Sequence, residues 1–185
     1  MLKRLFHPVL ISLSACVVLY LLLVILGVIR LYRIPTSSMT PTLAPGDVVV
    51  ATIPRPKADR LQRGDLVIFD ATEAMRWPTP SKEKSIHVNR VVALPGDVIE
   101  VIGGELRVNG HSLPTRDGAN ATPARPSNFP PITYPLTIPE GEVFMVGDHY
   151  NNSLDSRYFG TIPFEKLQMR PRFRCWPFSK IGKVN

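Results

Sequence analysis

Residues 8–29 hold no charged side chain in 22 consecutive positions and are mostly Leu, Val and Ile. A helix rising ~1.5 Å per residue over that run spans the ~30 Å hydrocarbon core of a bilayer. No soluble fold of modest size hides such a segment easily, so the rest of the chain must be arranged around it. Lys3 and Arg4 precede it, as in a secretory signal. The run is longer than the ~7–15 apolar residues of a cleavable signal. Arg30, Leu31, Tyr32 and Arg33 follow it, with no small-x-small cleavage site. The expectation is an uncleaved anchor within residues 1–30 and one compact domain over residues 31–185. Basic residues flank the run on both sides, so the positive-inside rule leaves its orientation open.

The net charge of +7 invites a nucleic-acid reading. The cations are scattered, however, and no aromatic-basic motif accompanies them, so no nucleic-acid partner is expected. One dense cluster comprises Lys166, Arg170, Arg172, Arg174, Lys180 and Lys183. It reads as a solvated face or, alternatively, as a contact for anionic membrane lipid. Cys16 lies in the apolar run and Cys175 near the other end, which gives no disulfide framework. The four histidines have no metal-ligand spacing, and no cofactor is implied.

Beyond the apolar run, short Val/Ile-rich stretches bounded by Gly and Pro predict strands at residues 47–53, 65–69, 86–94, 98–102, 105–108, 111–113 and 143–146. Gly103-Gly104 and Asn109-Gly110 are tight-turn signals. Residues 30–42 read as a juxtamembrane stretch, and 71–84 and 115–141 as loops. Only residues 164–168 hint at a helical period. The predicted class is mainly β: an antiparallel, coiled or barrel-like sheet domain behind one N-terminal transmembrane helix.

Four stretches carry chemistry. They are Ile34-Pro35-Thr36-Ser37-Ser38-Met39-Thr40-Pro41-Thr42-Leu43, Arg63-Gly64-Asp65-Leu66-Val67, Asn89-Arg90-Val91-Val92-Ala93-Leu94-Pro95-Gly96-Asp97, and Met145-Val146-Gly147-Asp148 running on through Asn152-Ser153-Leu154-Asp155-Ser156-Arg157 to Gly160. Singly, each reads as a turn or loop. In this order and spacing they resemble the sequence boxes of bacterial type I signal peptidases, over nearly the whole chain. The resemblance implies a membrane-bound serine endopeptidase, placed on the outer face of the cytoplasmic membrane, that removes signal peptides from exported preproteins. Recognition of small side chains before the scissile bond belongs to the same implication. By the resemblance, Ser38 is the nucleophile, and the Thr36 hydroxyl and the Ser38 N–H support the oxyanion. Ser153 orients the general base, while Asp155, Arg157, Asp148 and Arg90 brace the site. Met39 and the strand at residues 48–50 are candidates for lining the peptide groove or, equally, for the core.

One position departs from the pattern. The family base is a lysine, whose pKa burial can lower toward neutrality. Here that position is Asn89, and an amide has no basic nitrogen. His87 sits two residues earlier in a predicted strand, on the same face, and reads either as a half-buried strand residue or as a candidate substitute base. Lys82 and Lys84 are more remote substitutes. Two other accounts stand beside these. The chain is a disabled homologue that binds exported proteins without cutting them, or Asn89 is an inactivating change. Ser38 follows Arg30 by eight positions, so it lies within roughly 30 Å of the bilayer surface.

Overall fold

A computed structural model describes residues 2–52, 60–74, 85–118 and 131–184, and side chains from Pro8 onward outside Glu73 and Ala74. The apolar run forms helix α1 (Leu2–Ile25). From Pro8 onward it is long and apolar enough to cross a membrane, and none of the other described residues buries it. Its serine hydroxyls are satisfied within the helix. Ser12 Oγ donates to the Pro8 carbonyl at 2.8 Å and Ser14 Oγ to that of Ile11 at 2.9 Å, as a lipid-exposed segment requires. The helix stops at Ile25, earlier than the apolar composition suggests, because Gly27 takes φ +67°. Val28 N then closes onto the Leu23 carbonyl at 2.8 Å, a Schellman-type end.

Strand β1 (Ile29–Arg33) follows at once, where the sequence had suggested only a juxtamembrane stretch. Its pairing with β2 (Val48–Thr52) organises it. Then come β3 (Leu66–Asp70), the short helix α2 (Ala71–Ala74) and β4 (Ile86–Ala93). Next are β5 (Val98–Ile102), β6 (Glu105–Val108), β7 (His111–Ser112) and β8 (Leu136–Thr137). After β9 (Glu142–Val146), helix α3 (Ser156–Phe159) and β10 (Ile162–Pro163) lead to β11 (Leu167–Trp176) and β12 (Gly182–Lys183). The pairings are antiparallel throughout. The larger sheet runs β1-β2-β11-β3-β4-β9-β10 with β12 beside β11, and the smaller runs β7-β6-β5-β8. The mainly antiparallel β reading therefore holds.

Three expectations need correction. Leu136–Thr137 lies within the supposed loop 115–141 but pairs with β5. Residues 71–84 begin with a helical turn. Residues 164–168 form one 3-10 turn, Phe164–Lys166, and then enter β11, the longest strand. There Leu167, Met169 and Pro171 alternate inward with Gln168 and Arg170 between them, a period of two that the abundant arginines conceal. Pro171 is tolerated because it sits at a register shift against β2.

β3 and β9 are buried at every position, since both faces of this sheet region are covered. One face packs Val67, Phe69, Val91 and Met145, and the other packs Leu66, Ile68 and Val88 against Ile34, Met39 and Leu43. Each such side chain contributes ~1.5–3 kcal/mol when fully buried. Phe144, Val146 and Val92 form a third cluster with Ile99 and Leu106 of the smaller sheet.

Candidate active site

Ser38 is presented by a loop pinned from below. Ile34, Met39 and Leu43 are buried in the core. Ile34 N donates to the Asp47 carbonyl at 2.8 Å and Gly46 N returns to the Ile34 carbonyl at 2.9 Å. Thr36, Ser37 and Ser38 are thereby held outward, and the Thr36 and Ser38 hydroxyls lie 3.1 Å apart. Met39 and Val49 are fully buried, so of the two readings open for them the core one holds and the groove one is dropped.

The Gly147–Ser153 segment locks this loop from the other side. His149 N donates to the Ser38 carbonyl at 2.9 Å. The His149 ring, through Nδ1, meets the Ser37 carbonyl at 3.2 Å, and Asn152 Nδ2 donates to Ser37 Oγ at 2.8 Å. Gly147 is needed for close approach. A Cβ there would stand 2.6 Å from the Ser38 carbonyl oxygen and collide with the Ser153 hydroxyl. The sequence reading passed over His149, Asn152 and the packing role of Gly147; a glycine that ends a strand inside a motif was the available signal.

Below this segment, Asp155 and Arg157 form a buried bidentate pair, Nε to Oδ1 and Nη2 to Oδ2, both 2.8 Å. Asp155 also accepts Gly147 N at 3.0 Å and caps α3 through Arg157 N. Arg157 Nη2 donates to the Tyr150 carbonyl at 2.7 Å, and its guanidinium lies 3.9 Å from the Tyr150 ring centre. Burial pulls the Arg157 pKa down, but the Asp155 hydrogen bonds and charge outweigh it, and the net shift is upward. Asp148 lies on the opposite side, gripped by Arg90 through Nε at 2.8 Å and Nη2 at 2.6 Å, with the Thr42 hydroxyl donating to the same carboxylate. These pairs hold the backbone on which Ser38 rests.

Thr36, Ser38, His87, Asn152, Ser153 and Leu154 share one cleft of ≈ 390 Å³. Asn89 sits deeper. It shares the His87 face of β4 by alternation and is fully buried. One step along the register from Arg90↔Val146 brings it level with Gly147. Both of its amide atoms are without a hydrogen-bond partner, as is the buried Ser153 hydroxyl. His87 Nε2 lies 3.0 Å from Ser85 Oγ, and the ring stacks at a tilt on Phe69, centroids 5.8 Å apart. Burial lowers the His87 pKa, against the opposing pull of the Leu154 carbonyl, Asp155 and Asp70. The imidazole is therefore neutral at neutral pH and able to accept a proton. Lys82 and Lys84 lie outside the described residues.

A hydroxyl pair in a cleft, braced by a buried carboxylate–guanidinium pair on a β scaffold, is the arrangement of a serine hydrolase that needs a nearby base. The sequence profile of the signal peptidase, peptidase S26 family matches residues 7–176, and the chain belongs to that family. It is 35% identical over 153 residues to a probable signal peptidase I-2 of Synechocystis sp., covering 80% of this chain and 64% of the relative. A signal peptidase I of Leptolyngbya laminosa is 30% identical, covering 82% of this chain and 70% of its own length. A signal peptidase IB of Staphylococcus aureus is 30% identical over 177 residues, covering 89% and 87%. The chain thus spans about two thirds of the two cyanobacterial relatives and most of the staphylococcal one. A crystal structure of a signal peptidase I from Enterococcus faecalis superposes with a TM-score of 0.41 at 24% identity, covering 60% of this chain and 95% of that one.

Proposed function

We propose that this protein is a membrane-anchored serine endopeptidase that removes N-terminal signal peptides from exported preproteins. The observation that carries the reading is the 3.1 Å pairing of Thr36 and Ser38 hydroxyls in one cleft with His87 and Ser153. Ser38 Oγ attacks the scissile carbonyl and gives up its proton. The Ser38 N–H and the Thr36 O–H donate to the oxyanion, each contributing ~3–4 kcal/mol to lowering the barrier. Collapse expels the amine of the mature chain, leaving an acyl-enzyme that water hydrolyses. Neutral His87 is the proton acceptor in this scheme. It reaches Ser38 by ring rotation or through one water, and Ser153 helps to orient that relay. Asp155–Arg157 and Asp148–Arg90 fix the segment that carries Ser153 and holds the Ser38 carbonyl. Small residues precede the cut, as the family resemblance implies.

The setting fits a substrate embedded in the bilayer. The face of β1, β2 and β11 that points away from the core carries Leu31, Val48, Val50, Phe173 and Trp176, in paired register. Leu31, Phe173, Trp176 and nearby Phe178 are exposed, and β1 starts only a few residues after α1. Exposed aromatic side chains beside a membrane anchor suit the headgroup region. The catalytic domain lies on the outer side of the cytoplasmic membrane in this reading.

Asn89 supports a second reading, a homologue that binds preproteins without cutting them. Its amide is buried and unpartnered, and among the described residues the Ser38 hydroxyl is bonded to another hydroxyl, that of Thr36, and to no base. Cleavage of a preprotein by the purified chain in detergent separates the two. Turnover that disappears in Ser38→Ala and His87→Ala supports the peptidase with a histidine base. No turnover by the native chain, with turnover gained in Asn89→Lys, supports the non-cutting homologue.

A further inference from the structure

A second concavity lies across the Gly147–His149 backbone from the Ser38 cleft, on the Arg90 side of β4. Its apolar part, ≈ 570 Å³, opens between the larger sheet and the β6–β7 hairpin, with Val108, Leu113, Val146 and Tyr150 among its walls. A polar extension of ≈ 320 Å³ shares Arg63, Gly64, Arg90 and Arg116 with it and adds Arg170 and Arg172. Five guanidiniums therefore border one continuous groove. Three have their own carboxylates: Arg63 with Asp97, Arg90 with Asp148, and Arg170 with Asp65. Arg116 stands 3.7 Å from the Asp148 carboxylate that Arg90 already holds. Arg172 is exposed and has no carboxylate within ion-pair distance among the described residues. A fourth carboxylate, Asp117, accepts the Tyr150 N–H at the groove wall, so among the described residues the five guanidiniums still outnumber the carboxylates beside them, and much of the groove's lining is apolar.

We infer that this groove receives the first residues of the mature chain, beyond the scissile bond, and selects for carboxylates among them. The inference rests on the preprotein reading, and it names a substrate region on which the Ser38 cleft does not act. Gly147 is the shared wall: it lines the groove and abuts both Ser153 and the Ser38 carbonyl. Rounding one backbone layer of about 10 Å takes three or four extended residues at ~3.3 Å each. The signal segment remains in the bilayer, so the chain leaving Ser38 on its carboxyl side is the part free to turn into the groove. A groove lined by both apolar side chains and guanidiniums suits an acidic peptide, since guanidinium pairs with carboxylate bidentately.

The test uses the full chain in detergent and fluorescent ten-residue peptides without a signal segment, rich in Asp/Glu, neutral, or rich in Lys. The acidic peptide is expected to bind at least fivefold tighter than the neutral one. That margin should shrink with added salt and vanish in the double variant Arg116→Glu, Arg172→Glu. Both side chains are exposed, and an unchanged Tm checks that the fold is kept. Equal binding of all three peptides, or an acidic preference that survives the double variant, overturns the inference. So does a double variant that loses binding to anionic vesicles while its peptide binding is unchanged, which would make the groove a headgroup site. In preproteins with one fixed signal segment, acidic early mature residues should lower KM at constant kcat. Failure to cut any preprotein would sink the peptidase reading alone, because the peptide-binding readout needs no cleavage.

Discussion

At the scale of single residues, the site separates atoms that stabilise from atoms held at a cost. Arg157, through Nε and Nη2, and Asp155 pair in a nearly water-free position, with side-chain exposures of 1% and 0%, while Arg157 Nη1 is left without a hydrogen-bond partner. Removing one partner strands the other as a buried charge, so Arg157→Ala is expected to lower stability by about 3–5 kcal/mol, read by urea denaturation. Asn89 is the opposite case. Its amide is buried and makes no hydrogen bond, and a stranded polar group costs about 1–3 kcal/mol. Asn89→Ala removes that cost at the expense of a small cavity. It is expected to leave stability unchanged or raise it by up to about 2 kcal/mol. Truncating a buried leucine on the same strand pair, Leu66→Ala, should cost about 2–5 kcal/mol. A loss of more than 2 kcal/mol in Asn89→Ala would mean that the amide has partners in solution.

At the scale of elements, the Ser38 loop and the end of β9 are clamped to one another through Gly147. Gly147→Ala places a methyl group against the Ser38 carbonyl and the Ser153 hydroxyl. One of the two segments must then move. Since a misplacement near 1 Å can cost ~100-fold in rate, preprotein cleavage is expected to fall by about that factor, with a smaller change in Tm. Equal falls in both would place the effect on folding instead. The elements legible in the sequence were those with local signals. The apolar run gave α1, the Gly-Gly turn gave the β5–β6 hairpin, and the Val/Ile runs gave β2, β3 and β4. β1 and β11 were hidden because long-range pairing organises them. β1 carries arginine at positions 30 and 33, and β11 carries Arg170, Arg172, Arg174 and a proline. Neither shows the composition of a strand, yet β2 lies between them and pairs with both. For the site, the motif strings supplied Thr36, Ser38 and Ser153. The backbone bonds from His149 could not be read from sequence, because a main-chain donor leaves no mark on residue identity.

At the scale of the whole molecule, pH acts through two groups whose shifts have the same consequence. Burial pushes the Asp97 carboxyl up, but the Arg63 guanidinium, Leu94 N–H and the Asn109 amide outweigh it and hold it at about 2, against an ordinary 3.8. A depressed carboxylate contributes stability that is present above 3.8 and is lost as pH falls toward 2. His87 has its pKa lowered from 6.5 by burial. The unfolded chain therefore takes up its proton first, and the stability linked to neutral His87 is full above 6.5 and drains as pH falls below it. Tm is expected to be level above pH 7, to slip on crossing 6.5, and to drop steeply below 4 as carboxylates protonate and the positive net charge grows. His87→Gln should erase the first step and leave the second. The same neutral imidazole sets the acid limb of kcat/KM if it accepts the Ser38 proton. That limb should lie below pH 6.5, and a rate that stays flat from pH 7 to 5 while Tm shows the His87 step would leave His87 a packing residue and move the proton acceptor elsewhere.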